Sequence, residues 1–352
     1  MTRIHPYLRH LRQIGASDLH LSAGRPPMVR QSGHVAEIPG QSVLADAALR
    51  EMLHEIVSER QWQRFLREHD LDFATAVEGV ARFRGNYFEQ EHGVGAVFRM
   101  VPDQIIAIEN LGVPQVVHDL ADLDSGMVLV TGPTGSGKST TLAAIIDLIN
   151  RKHARHIVTI EDPVEFVHQN KRSVISHREV GTDSDEFASA LRAALRQDAD
   201  VILVGEMRDF ETISLAVEAA SMGVLVFGTL HTSSAAKTVD RIIDSFPADQ
   251  QDRARAGLAE SLAAVVSQVL ARRKEGGRVG VHEILVRTQG LSGVIREGNT
   301  AMLNSMIGAG RAQGMQTMDS ALMELVQANV IDGHEAYLKA SDKKAFQQWA
   351  QG

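Results

Sequence analysis

The spacing of apolar residues divides the chain into two regimes. Over residues 1–100 the apolar runs are short and mixed in period. They predict a short helix over 6–14, a strand over 19–22 and a helical stretch over 46–68 with Leu49, Leu53, Ile56 and Val57 on one face. Two strands follow, over 80–89 and 94–100, joined at Glu91-His92-Gly93. Period-2 alternation in the first strand sets Arg82, Arg84 and Asn86 on one face and Phe83 and Tyr87 on the other. Residues 1–100 therefore read as an α+β domain. Residues 101–115, with prolines near both ends and no clear period, read as a linker.

From residue 116 the pattern alternates strand with helix, the mark of a parallel sheet in an α/β domain extending to residue 290. Strands are expected at 127–130, 157–160, 201–204 and 224–228, and helices at 139–152, 185–196 and 210–222. The stripe Leu258, Leu262, Val265, Val266, Val269 and Leu270 predicts one long helix over 253–273, and 279–286 closes the sheet region. Residues 291–352 carry only short helices, around 301–309, 319–328 and 334–340.

Composition narrows the class. A chain of 352 residues exceeds what one core holds, and 44% hydrophobic with 23% charged residues is ordinary for a globular protein. There is no apolar run long enough to span a bilayer, and the first residues lack the apolar core of a secretory signal. A net charge of −8 argues against a protein built mainly to hold nucleic acid. With no cysteine, disulfides, thiolate zinc sites and cysteine nucleophiles are all excluded, which suits a cytoplasmic protein. His153 and His156 lie close together, but no carboxylate or third histidine completes a metal pattern around them.

Chemistry enters at Gly132, Pro133, Thr134, Gly135, Ser136, Gly137, Lys138 and Ser139, which fit G-x-x-x-x-G-K-[ST] between an apolar strand and an amphipathic helix. Glycines let the backbone curl so that successive N–H groups face phosphate oxygens, and the helix N-terminus adds partial positive charge. Lys138 is expected to reach the β/γ-phosphates and Ser139 to ligate Mg²⁺. Thr140 completes the expected nucleotide-binding set.

Hydrolysis also needs a carboxylate that positions water. Two sites follow buried strands, where α/β enzymes place their ligands. The first is Glu161-Asp162-Pro163-Val164-Glu165. The second is Gly205-Glu206, where Gly205 stands in place of the Asp of the usual Asp-Glu pair. Glu206 is the expected base, and Glu165 or Glu161 could supply the Mg²⁺-side contact. Gly228-Thr229-Leu230-His231-Thr232 follows a fourth strand, so His231 is expected at the same edge as a sensor of the γ-phosphate. Arg192 and Arg196, four apart on a helix, read as a solvated face.

These sites, in this order, resemble the secretion-superfamily ATPases, and specifically the PilT-like retraction motors of type IV pili. The resemblance is carried by residues 16–24, the strand pair ending at Arg99, the phosphate loop, the acidic box 160–165, residues 203–209 and the histidine box 228–232. It covers nearly the whole chain. It implies a PAS-like N-terminal domain and a RecA-like C-terminal domain. It further implies a homohexamer peripheral to the cytoplasmic face of the inner membrane, an inner-membrane platform protein as partner, and ATP held between subunits. In the family, arginines of the N-terminal domain reach that ATP, and Arg82, Arg84 and Arg99 match their places. Assembly and secretion relatives typically carry a further N-terminal domain and a four-cysteine zinc insertion. This chain begins almost at once with the 17–21 strand and has no cysteine. The expected direction is therefore pilus disassembly.

One segment departs from the family. Its late motif Ala-Ile-Arg-Asn-Leu-Ile-Arg-Glu-Gly, tied to retraction, here runs Gly290-Leu-Ser-Gly-Val-Ile-Arg296-Glu297-Gly298, with Ser292 and Gly293 replacing arginine and asparagine. An accessory, PilU-like role beside a partner retraction ATPase is the alternative this leaves open. A RecA-like nucleic-acid translocase is a more distant one.

Overall fold

A computed structural model of the chain describes residues 2–31, 33–101 and 104–350. It divides into two compact units, Met1–Gln104 with Pro163–Val167, and Ile105–Asp162 with His168–Gly352.

The first unit contains α1 (His5–Gln13), β1 (Asp18–Ser22), β2 (Met28–Gln31), β3 (His34–Glu37), α2 (Asp46–His54), α3 (Glu59–Glu68), β4 (Asp70–Val77), β5 (Ala81–Gln90) and β6 (Gly93–Val101). Its sheet runs β3-β2-β1-β6-β5-β4, every neighbour antiparallel. Leu19, Leu21, Phe83, Tyr87 and Phe98 enter one core with Leu49, Leu53 and Phe65 from α2 and α3. The helical stretch expected over 46–68 is two helices. Ser58 stops the first from running on, because its side chain caps α3 in a reciprocal capping box with Gln61. Strands β2, β3 and β4 were not expected. Every residue of β3 is exposed, so it has no apolar alternation to read.

The second unit contains α4 (Gln115–Asp119), β7 (Gly126–Thr131), α5 (Lys138–Lys152), β8 (His156–Glu161), β9 (Val174–Glu179), α6 (Phe187–Ala194), β10 (Val201–Val204), α7 (Phe210–Ser221), β11 (Leu225–Leu230), α8 (Ala235–Asp244) and α9 (Gln251–Ser261). It continues with β12 (Leu262–Arg272), β13 (Arg278–Val286), α10 (Leu291–Arg296), α11 (Ala301–Ala309), α12 (Met318–Gln327) and α13 (Gly333–Lys339). Its sheet runs β13-β12-β7-β11-β10-β8-β9, parallel throughout except for the β12–β13 hairpin. Strands β7, β10 and β11 are buried at every position, which is why they read as unbroken apolar runs. Of the expected linker, Ile108 and Val113 are buried in this unit's core, while Pro102 and Asp103 lie outside the described residues.

The long helix expected over 253–273 is a correction. Helix α9 ends at Ser261 and the chain continues as β12. Residues Leu262 to Gln268 are buried on both faces, and a doubly buried strand shows no period-2 signal. Val265, Val266 and Val269 are β-branched, which favours the strand. Among the described residues no helix is long and apolar enough to cross a membrane.

Candidate active site at the edge of the parallel sheet

Register puts the ends of four strands side by side. Thr131 of β7 pairs with Leu230 of β11, Gly228 of β11 with Val204 of β10, and Val204 with Ile160 of β8. The phosphate loop, the histidine box, Glu206 and the start of the acidic box therefore leave one sheet edge from adjacent strands.

The loop is shaped by its glycines. Gly132, Gly135 and Gly137 have φ of 143°, 77° and 90°, a region side chains disfavour. A Cβ on Gly132 would stand 2.2 Å from the carbonyl oxygen of Gln268, so the loop lies directly against β12. Gly137 is the N-cap of α5 and, among the described residues, no side chain caps the helix, which leaves its first N–H groups for an anion. Lys138 Nζ donates to the carbonyls of Gly132 at 2.9 Å and Pro133 at 3.1 Å, holding its charge over the loop. The Ser136 hydroxyl is buried with no partner among the described residues. A buried hydroxyl without a partner, beside a helix start that no side chain caps among the described residues, fits a phosphate.

Glu206 and His231, read separately in the sequence, meet in the structure. Glu206 Oε1 lies 3.1 Å from His231 Nε2, and Oε2 accepts from Arg208 Nη2 at 2.7 Å. The Arg208 hydrogen bond is the main reason the Glu206 carboxyl sits below its ordinary 4.5, against a burial that raises it; the charges of Arg208 and His231 add to the lowering. Glu206 is thus a held carboxylate. Gly205 is pinned on both sides: its N–H donates to Ile160 O at 2.8 Å and its carbonyl accepts from the Thr229 hydroxyl. A Cβ there would stand 3.2 Å from the Cα of Glu161, so close packing of β10 on β8 accounts for the glycine where the usual motif has Asp. Asp209 then caps α7, accepting from Thr212 N at 2.8 Å.

The other candidates fall in the first unit. Glu165 lies in the Pro163–Val167 segment, where Arg82 Nη2 donates to Val164 O at 3.3 Å. Arg84 and Arg99 are cross-strand partners, a repulsive juxtaposition. Arg99 is neutralised by buried Asp18, Nε to Oδ1 at 2.7 Å. Burial raises the Asp18 carboxyl, but hydrogen bonds from Ser17 and Arg99 outweigh it and leave the carboxyl below its ordinary range. Arg84 is exposed and, among the described residues, has no ion pair. Arg192 pairs with Glu211 at the start of α7.

Two residues escaped the sequence reading. Arg208 is one, although its spacing of two from Glu206 was visible. Gln268 is the other. Its Nε2 donates to Ser136 O at 2.7 Å and its Oε1 accepts from the Thr141 hydroxyl at 2.8 Å, both bonds buried. It sat inside an apolar run assigned to a helix.

In the altered segment, Ser292 Oγ donates to Ala259 O at 2.6 Å and ties α10 to α9. A Cβ on Gly293 would meet nothing within 4 Å.

Comparison with known proteins agrees with this arrangement. The family model described as type II/IV secretion system protein matches residues 69–336. The type IV pilus retraction ATPase PilT of Pseudomonas aeruginosa is 49% identical over 332 residues, covering 94% of this chain and 96% of the relative. The type IV pilus ATPase PilU of the same species is 37% identical over 334 residues, covering 95% and 87%. A crystal structure of the pilus retraction motor PilT with bound ADP superimposes with a TM-score of 0.91 at 40% identity, covering 99% of both chains. The chain belongs to the type II/IV secretion system protein family, as a PilT-like ATPase.

Proposed function

We propose that this chain is the subunit of a homohexameric ATP-driven motor that powers type IV pilus retraction, acting on an inner-membrane platform protein from the cytoplasmic side. The carrying observation is the phosphate loop with the Glu206–His231 pair at neighbouring strand ends, on a chain that matches a retraction ATPase along nearly its whole length. In this reading the second unit is RecA-like and the first PAS-like, with boundaries near 100, 115 and 290.

The chemistry follows from the groups named. The N–H groups of Gly135 and of Gly137 to Thr140, with the Lys138 ammonium, bind the β- and γ-phosphates. Glu206 positions and polarises the attacking water, and Arg208 keeps that carboxylate ionised and oriented. His231, hydrogen-bonded to Glu206, registers whether the γ-phosphate is present. Mg²⁺, when bound with the nucleotide, neutralises charge on the phosphate oxygens. Ser139 is the group that would hold it, with Glu161 the acidic candidate in the same unit, and hard oxygen donors suit that ion.

Arginines of one subunit complete the site of the next. The row Arg30, Asp18, Arg99, Arg84 across β2, β1, β6 and β5 carries three cations and one carboxylate, an excess suited to phosphate. Arg84, with no ion pair to break, is the strongest of the three candidates; Arg82 and Arg99 shape the surface around it. Loss of the γ-phosphate removes the charge these cations bind, which converts hydrolysis into subunit motion.

Phosphate release tests the site. Lys138→Ala is expected to abolish turnover. Glu206→Gln is expected to bind Mg-ATP while losing turnover by a factor of about 10² or more. Normal turnover by Lys138→Ala would remove the phosphate loop from the mechanism. Loss of nucleotide affinity in Glu206→Gln would make Glu206 a binding residue.

A further inference from the structure

Gln268 meets the phosphate loop at three places and helix α5 at a fourth. Its backbone carbonyl lies against Gly132, its Nε2 holds the Ser136 carbonyl, the same Nε2 stands 2.8 Å from where a Gly137 Cβ would be, and its Oε1 accepts from Thr141 in the first turn of α5. It is buried. The orientation of the carboxamide is chemically determined, because the Ser136 carbonyl can only accept and so requires the NH₂ end.

In a trans peptide the C=O and the following N–H point in opposite directions. Drawing the Ser136 carbonyl towards β12 therefore turns the Gly137 N–H to the opposite side of the peptide, away from β12. Glycine at 137 has φ of 90° and permits the reversed peptide at little steric cost. Nothing in the covalent geometry of Ser136–Gly137 prevents a flip that would aim a carbonyl dipole at the phosphates. A partner outside the loop must do so.

We propose that Gln268 is a positioning residue for nucleotide binding, which locks the Ser136–Gly137 peptide with its N–H facing the phosphates. Thr141 fixes the carboxamide for this task. The proposal rests on the phosphate-loop reading above. It adds a residue that touches no substrate and acts through one peptide group.

The test measures ADP affinity by equilibrium titration of a fluorescent ADP analogue, with kcat and KM for ATP and thermal unfolding of the nucleotide-free protein. Gln268→Met keeps the volume and removes both hydrogen bonds. It is expected to lower ADP affinity about 10-fold and raise KM similarly, with a smaller change in kcat. Gln268→Glu sets a carboxylate oxygen against the Ser136 carbonyl and is expected to lower affinity further. Thr141→Val is expected to cost several-fold, and Thr141→Ser, which keeps the hydroxyl, to restore affinity. Lys138→Ala is the control. If it loses ADP while a folded Gln268→Met binds as the wild type does, the positioning role is wrong and the phosphate-loop reading stands. If Lys138→Ala also binds normally, the phosphate-loop reading itself fails. Should Gln268→Met not fold, unchanged affinity in Thr141→Val overturns the proposal. Lowered thermal stability with unchanged affinity would likewise mark Gln268 as structural only.

Discussion

The water-positioning role proposed for Glu206 requires an ionised carboxylate, and its neighbours favour that form. The hydrogen bond from Arg208 holds it below 4.5. The deprotonated form therefore persists above that lowered value and is lost as pH falls through it. Arg208→Gln removes the main lowering contributions and leaves burial, which raises the carboxyl, opposed by His231 alone. The acid limb of kcat against pH is expected to move upward in this variant, so activity fails at a higher pH than in the wild type. An acid limb that does not move would mean that Glu206 is not the group titrating. At this scale the sequence was informative where a polar residue follows an apolar run at a strand end, as Glu206 and His231 do, and where a spaced motif marks the loop, as at Lys138. Gln268 is equally polar but lies within its strand. Its role depends on β12 passing beneath the loop, a contact across more than a hundred residues that no local pattern carries.

Among elements, the strands of the parallel sheet were legible because complete burial demands unbroken apolar runs. Strand β12 obeys the same rule and was still misread, since its apolar residues also fall at helical spacing after a true helix. Edge strand β9 was missed because only Ile175 and Glu179 in it are buried. Helix α10 carries the departure from the family motif. Gly293 is exposed in its middle with φ outside the left-handed region, and a Cβ there meets nothing. Packing does not require the glycine. Gly293→Ala is expected to raise unfolding free energy by about 0.5–1 kcal/mol with ATPase turnover unchanged. Denaturant titration checks this, and a destabilised variant would mean that α10 needs the glycine for its backbone.

For the whole molecule, the proposal is that one subunit's arginines serve its neighbour's phosphate loop, so defects on the two sides should complement. Mixing Lys138→Ala subunits with Arg84→Ala subunits is expected to restore part of the ATPase activity that each lacks alone. An arginine of this kind is worth about 10³-fold or more in rate. Mixed rings that assemble yet stay inactive would contradict shared sites. Within one chain, the order of motifs made the sheet edge readable from sequence, because the phosphate loop, acidic box, Glu206 and histidine box each follow their expected strand. The pairing of Glu206 with His231 needed the register of β10 on β11.

The central claim is that ATP hydrolysis by this chain takes pili apart. Its most direct test is surface piliation and twitching in a deletion strain of the source organism, complemented with wild-type protein or Glu206→Gln. The deletion is expected to leave pili on the surface, in excess, with twitching abolished. Wild-type protein is expected to restore twitching, and Glu206→Gln to fail. A deletion strain bare of pili, with piliation recovered on adding this gene back, would contradict the account and make the chain an assembly motor.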